Sequence, residues 1–178
     1  MSKWRTIYHP GVAYFVTSTV VDFIPLFIRI KYIDILLQNL NFYRGKYGFK
    51  LYAYVIMPEH MHLIIHPSSN TKIASIMRDF KSFTSKKLTL QLVIDKKFKI
   101  LKRLNRSATK KVKHPIWKEG CRPIGIYTEE VLRSKIDYIH KNPIRRVLVK
   151  NLEKYLYSSY RNYYLDDDSL IKIDKDWL

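Results

Sequence analysis

One cysteine in 178 residues leaves Cys121 without an internal partner, so neither a disulfide framework nor a paired-thiol redox centre is open to this chain. Acidic residues are scarce, 15 against 33 Lys and Arg, and the formal charge of +18 argues against an acidic ligand-free surface and for a polyanionic partner. Five glycines and seven prolines are too few for a collagenous or linker-like chain. No apolar run approaches the roughly 20 residues that span a bilayer, because Asp22, Pro25, Arg29, Lys31 and Asp34 interrupt the most apolar early stretch. A basic leader with a small-residue cleavage site is also missing, which points to a cytoplasmic protein with no membrane partner. What is abundant is apolar and aromatic residues, 47% and 14%, enough for a real core at this length.

Residues 14–21 are β-branched and aromatic and read as a strand. Pro25 is placed in the first turn of a helix carrying Leu26, Ile30, Ile33, Leu37 and Leu40, with Gly45 and Gly48 at its exit. Two further strands, 49–57 and 60–66, are separated by Pro58 and Glu59, as in a hairpin. Ile73, Ile76, Met77, Phe80 and Phe83 give a second helix, and a fourth strand is signalled near Ile116 and Trp117. Thr128 caps a further helix expected to stop at Asn142, before Pro143. The order predicts an α+β fold, a ferredoxin-like antiparallel sheet with helices on one face. Residues 1–165 would form the domain and 166–178 an acidic, solvated tail.

Three features carry chemistry. His60 and His62 flank Met61; at strand spacing their Cα atoms lie roughly 6.6 Å apart on one face, so two neutral imidazoles can converge on one cation. His66 has the same parity but stands too far along the strand to share that shell. On the capped helix, Leu132, Ile136 and Ile139 form the core stripe, while Val131, Lys135, Tyr138 and Asn142 follow its flank, so that Tyr138 and Asn142 can face one site. A phenol there is a possible covalent nucleophile toward phosphorus, weak at neutral pH unless the oxyanion is stabilised. Between 96 and 113 lie nine Lys or Arg and no acid. Lys96, Lys99, Lys102, Arg103, Arg106, Lys110, Lys111 and Lys113 read as phosphate-backbone contacts that give affinity with little base discrimination.

Met57-Pro58-Glu59-His60-Met61-His62-Leu63-Ile64-Ile65, followed by Tyr138-Ile139-His140-Lys141-Asn142-Pro143-Ile144-Arg145, resembles the single-tyrosine transposases of the insertion-sequence-200-like superfamily, and among them the REP-associated tyrosine transposases. Met77-Arg78-Asp79-Phe80-Lys81-Ser82-Phe83, the Trp117 segment and Tyr157-Ser158-Ser159-Tyr160 support the resemblance in the family's order. It implies a ferredoxin-like fold; a Mg²⁺ or Mn²⁺ ion on His60 and His62 with Asn142 completing the site; and Tyr138 as nucleophile. It further implies cleavage and rejoining of single-stranded DNA beside a hairpin through a 5′-phosphotyrosine, by a monomer or homodimer. Glu59 stands where Asn is frequent in the family, and Val147 where Gly is usual. The alternative is a non-catalytic regulator that binds a DNA or RNA hairpin.

Overall fold

Alternating apolar residues place side chains from three neighbouring strands on two opposite faces of one sheet. In a computed structural model, which describes residues 9, 11–107, 115–120 and 122–177, these strands are β1 (Ala13–Thr19), β2 (Lys50–Ile56) and β3 (His60–His66). A short β4 (Ile124–Ile126) completes the sheet in the order β2-β3-β1-β4, every pairing antiparallel. Helices α1 (Ile30–Tyr47), α2 (Ile73–Ile94), α3 (Phe98–Asn105), α4 (Glu129–Arg145) and a short α5 (Tyr160–Tyr164) surround it. The α+β, ferredoxin-like arrangement expected from the sequence is present.

The packing differs from the expectation in one respect, since helices cover both faces. Tyr14, Val16, Met61, Leu63 and Ile65 pack with the apolar stripes of α1, α2 and α3. The alternate residues Ala13, Phe15 and Ile64, with Val55 from β2, pack instead with Leu132, Ile136 and Ile139 of α4. A strand turns every second side chain to the other face, so a sheet apolar on both sides needs two covers. His60 and His62 share the parity of Ile64 and therefore lie on the α4 side.

Several boundaries also differ. Pro25 precedes α1 rather than opening it; the helix starts at Ile30 and ends on Gly48, whose φ of +63° closes it in the left-handed region. Ile116 and Trp117 are buried but form only an isolated bridge from Trp117 to Val20, and the fourth strand is Ile124–Ile126. Three residues with a central glycine give too short a pattern to read as a strand. Thr128 caps α4 as expected, its Oγ1 accepting from the Val131 N–H at 3.3 Å. The helix then passes through Pro143 to Arg145. Pro143 has no N–H to give the Ile139 carbonyl, a loss confined to the last turn because the helix runs only two residues further; the Leu148 N–H then donates to the Pro143 carbonyl at 2.9 Å in the closing turn.

The acidic tail is not solvated chain. Ile171 and Ile173 enter the core beside α1, and Asp174 pairs with Leu51 of β2, its backbone N–H donating to the Leu51 carbonyl at 2.9 Å. Ser158 forms a bridge to Val55, and Ser159 donates to Tyr54 from its backbone N–H at 2.9 Å. These segments cover the outer edge of β2, which would otherwise present unpaired backbone groups.

Candidate active site on the α4 face

β3 carries His60 and His62 on the face that α4 crosses, and α4 brings Tyr138 down beside them. The two imidazole centroids are 4.8 Å apart, and the His62 and Tyr138 ring centroids 5.4 Å apart, nearly edge to face. Phe15 of β1 closes the cluster, stacked on His62 at 5.2 Å and edge-on to Tyr138 at 5.9 Å. Tyr138 remains 37% exposed, whereas His62 is 5% exposed. The site thus joins a sequestered imidazole to a phenol that solvent and a large ligand can reach.

Each histidine has its Nδ1 engaged. His62 Nδ1 shares a hydrogen bond of 2.8 Å with Thr17 Oγ1, which lies opposite it in the β1–β3 register. His60 Nδ1 lies 3.1 Å from Glu59 Oε1, and an ionised carboxylate only accepts, which puts the proton on Nδ1 and the lone pair on Nε2. Arg146 Nη2 donates to the same Glu59 oxygen at 2.6 Å. Burial, followed by the neighbouring His60 and Lys135 charges, pushes the His62 pKa down to about 3, so its imidazole is neutral at physiological pH. Burial also lowers His60, opposed by Glu59, and the Asn142 side chain comes within hydrogen-bonding reach of this ring.

Among the described residues, no group of three or more His, Cys, Asp and Glu side chains is gathered as a cation site. The donor set that does converge is two neutral imidazoles and the buried amide of Asn142, which is 5% exposed. It fits a divalent cation that keeps open positions for water or a phosphate oxygen. Two nitrogen donors suit Mn²⁺ better than Mg²⁺, which prefers an all-oxygen shell.

Positive charge surrounds the phenol. The Arg145 guanidinium is 5.1 Å from the Tyr138 ring centroid, and Lys135 Nζ is 5.2 Å from that of Phe15. The basic segment singled out in the sequence is not at this place. Lys96, Lys99, Lys102, Arg103 and Arg106 are exposed around α3, whose Leu101 and Leu104 pack into the layer on the opposite face of the sheet. Lys110, Lys111 and Lys113 lie outside the described residues. The structure thus brings together four residues singled out in the sequence, His60, His62, Tyr138 and Asn142, and sets Phe15, Thr17, Arg145, Arg146 and Glu59 around them, none of which the sequence reading had placed there. The parity of Phe15 and Thr17 on an aromatic strand was the one available signal.

Comparison with known proteins accords with this geometry. Residues 28–120, just over half of the chain, match the family described as Transposase IS200 like. This stretch includes the histidine pair, and Tyr138 lies beyond it. A solved structure of a REP-associated tyrosine transposase bound to a REP hairpin is similar over 98% of this chain and 90% of its own, with 22% identity and a TM-score of 0.70. A candidate transposase from Deinococcus radiodurans R1 matches over 78% of this chain and 95% of its own, with 16% identity and a TM-score of 0.46. No curated protein matches. With more than half its length matched and its histidine pair inside that stretch, the chain belongs to the IS200-like single-tyrosine transposase family.

Proposed function

We propose that this protein cleaves and rejoins single-stranded DNA, held beside a hairpin, through a covalent bond between Tyr138 and a 5′ phosphate. The observation that carries the reading is the meeting of an accessible phenol from α4 with the buried, neutral imidazole of His62, which has the half-buried His60 beside it on β3. The Tyr138 phenolic oxygen forms a bond to phosphorus as the P–O3′ bond breaks; the phenol proton passes to solvent and the departing 3′ oxygen takes one up. A 3′-hydroxyl of another strand end reverses the step. Because the phosphodiester energy is kept in the protein–DNA bond, no nucleotide cofactor is required.

His60, His62 and Asn142 would hold Mg²⁺ or Mn²⁺, which when bound supplies positive charge at the non-bridging phosphate oxygens. Thr17 and Glu59 fix the imidazoles so that Nε2 of each faces the reacting phosphate. Arg145 and Lys135 draw the strand toward Tyr138 and favour the charge that develops there. The exposed cations of 96–106, together with Lys110, Lys111 and Lys113, would grip the flanking backbone. Residues 1–165 would carry the chemistry, and 166–178 would hold the edge of β2.

The test is incubation with end-labelled hairpin oligonucleotides and Mn²⁺, followed by a denaturing gel. A slow-migrating protein–DNA band is expected with the natural protein and none with Tyr138→Phe. Tight binding with no such band across varied hairpins would overturn the enzyme and leave a hairpin-binding regulator.

A further inference from the structure

Beside the imidazoles the surface sinks into a cavity of about 320 Å³, lined by Pro58, Glu59, Arg145, Arg146, Val147 and Leu148. That volume is at the small end of the range for organic ligands, about 300–1,000 Å³. The lining is of two kinds. Pro58, Val147 and Leu148 are apolar; Glu59, Arg145 and Arg146 are charged. A bare phosphate would meet donors in the two guanidiniums but repulsion from the carboxylate. A nucleobase has apolar faces and an edge of donors and acceptors, and needs both kinds of wall.

The carboxylate is fixed. Glu59 is 8% exposed and held at Oε1 by Arg146 and His60. Arg146 itself is more than half exposed, so its guanidinium can serve the carboxylate and a ligand together. Val147 is a second mark. It closes α4 at φ +55°, with its N–H donating to the Ile144 carbonyl at 2.8 Å. A β-branched residue is strained in this left-handed position, where glycine is favoured. With 88% of its surface exposed, Val147 stabilises nothing in the core. Its isopropyl group supplies part of the apolar wall of the cavity, which glycine would lack.

We propose that this cavity takes one unpaired guanine of the DNA strand, within one or two nucleotides of the phosphate that reacts at Tyr138. Glu59 accepts from N1–H and the 2-amino group, and the arginines donate to O6 or N7. Guanine alone among the four bases sets two adjacent donors for a carboxylate beside acceptors for a guanidinium; adenine and cytosine each offer one amino group and thymine a single imino group. The cavity is joined to the reacting centre twice, by Arg145 against the Tyr138 ring and by Glu59 on His60. The inference rests on the single-stranded DNA reading above and adds a base-specific subsite to it.

The test uses the full chain carrying Tyr138→Phe, without added metal, so that binding is read apart from cleavage. Hairpins with six randomised unpaired nucleotides on each side are selected by binding, and dissociation constants are then measured for guanine, inosine, adenine, cytosine and thymine at each enriched position. Guanine should be preferred about tenfold at one position near the cleavage point, the size of one good bidentate pair, and inosine, lacking the 2-amino group, should lose part of that preference. In Arg145→Gln/Arg146→Gln guanine should fall to within about twofold of the other bases, while every oligonucleotide, thymine included, also loses the smaller, base-independent affinity that Arg145 gives the strand. No guanine preference, a preference that survives the double substitution, or an equal loss for every base would each overturn the subsite. Failure of the Tyr138→Phe protein to bind any hairpin would instead overturn the DNA reading itself.

Discussion

Tyr138 and His140 stand two residues apart on α4, and each meets rings of the other kind. Tyr138 meets His62 of β3, with centroids 5.4 Å apart; His140 meets Tyr160, Tyr163 and Tyr164 of the α5 segment, with centroids 5.2–5.9 Å away. Both sites hold an imidazole that burial keeps neutral, at about 3 for His62 and about 4 for His140. A depressed pKa therefore does not distinguish them. Accessibility and unused bonding capacity do. His140 is 2% exposed, and its Nε2 is paired with Ser159 Oγ at 3.0 Å, which in turn bonds the Tyr54 backbone of β2. Among its neighbours, Tyr163 donates to the Tyr52 carbonyl at 2.9 Å, and burial pushes its pKa up to about 12. One cluster clamps the helix to the sheet edge. In the other, the bonds to Thr17 and Glu59 occupy one nitrogen of each ring, and the second nitrogens, with Asn142 beside that of His60, are those that the proposed mechanism would use.

The sharpest break in that comparison is at the phenols. Tyr138→Phe should reduce covalent adduct formation by at least about a thousandfold on a denaturing gel. Tyr163→Phe should keep the adduct and instead lose about 1 kcal/mol of stability in denaturant unfolding, for its hydrogen bond to Tyr52. The imidazoles should divide in the same way. His62→Ala should lower Mn²⁺-dependent cleavage by about a hundredfold, with DNA affinity changed far less. His140→Ala should cleave as the natural protein does when folded, and lose about 2–3 kcal/mol of stability from the cavity and the lost hydrogen bond to Ser159. If His140→Ala abolished cleavage at full stability, the division would be wrong.

How much of this was legible in the sequence depends on how far the signal travels along the chain. The His60–His62 pair follows from the two-residue repeat of one strand, and Tyr138 with Asn142 from the 3.6-residue repeat of one helix. Contacts set by tertiary packing were not legible. Glu59 and Arg146 are 87 residues apart, and Thr17 and His62 are 45 apart; no local pattern pairs them. Nor does periodicity say which face of a two-sided sheet a helix will cover, which is why α4 was expected with the other helices. Asp166, Asp167 and Asp168 suggested a solvated tail because charge dominates a short window, while the two isoleucines that anchor it, Ile171 and Ile173, are too few to register as an element.

Acid treats the two clusters alike and so tests their shared feature. An unfolded imidazole takes its proton near pH 6.5, whereas folded His62 and His140 resist until about 3 and about 4. Between those limits the unfolded state binds more protons, so stability falls as pH falls, by about 1.4 kcal/mol per pH unit for each histidine. Denaturant unfolding of the metal-free protein from pH 7 to 5 should show this slope, and His140→Gln should flatten it by about half. A slope unaffected by that substitution would place the acid sensitivity elsewhere.

Smaller effects concern the charged surface and the end of α4. Replacing Lys99, Lys102 and Arg103 with Ala should reduce the salt dependence of hairpin binding by about 0.7–0.9 per lost phosphate contact, and an unchanged slope would remove α3 from the interface. Val147→Gly should relieve its left-handed strain, stabilising the protein by about 1 kcal/mol and raising Tm by about 2–4 °C in a calorimetric scan.

The most direct measurement is mass-spectrometric mapping of the peptide that retains DNA after digestion of the Mn²⁺ reaction. The account predicts a 5′-phosphate ester on the phenolic oxygen of Tyr138, with an equal amount of free 3′-hydroxyl released. DNA attached to Tyr160, Tyr163 or Tyr164, or cleaved strands with free 5′-phosphates and no linked peptide at any time point, would contradict it.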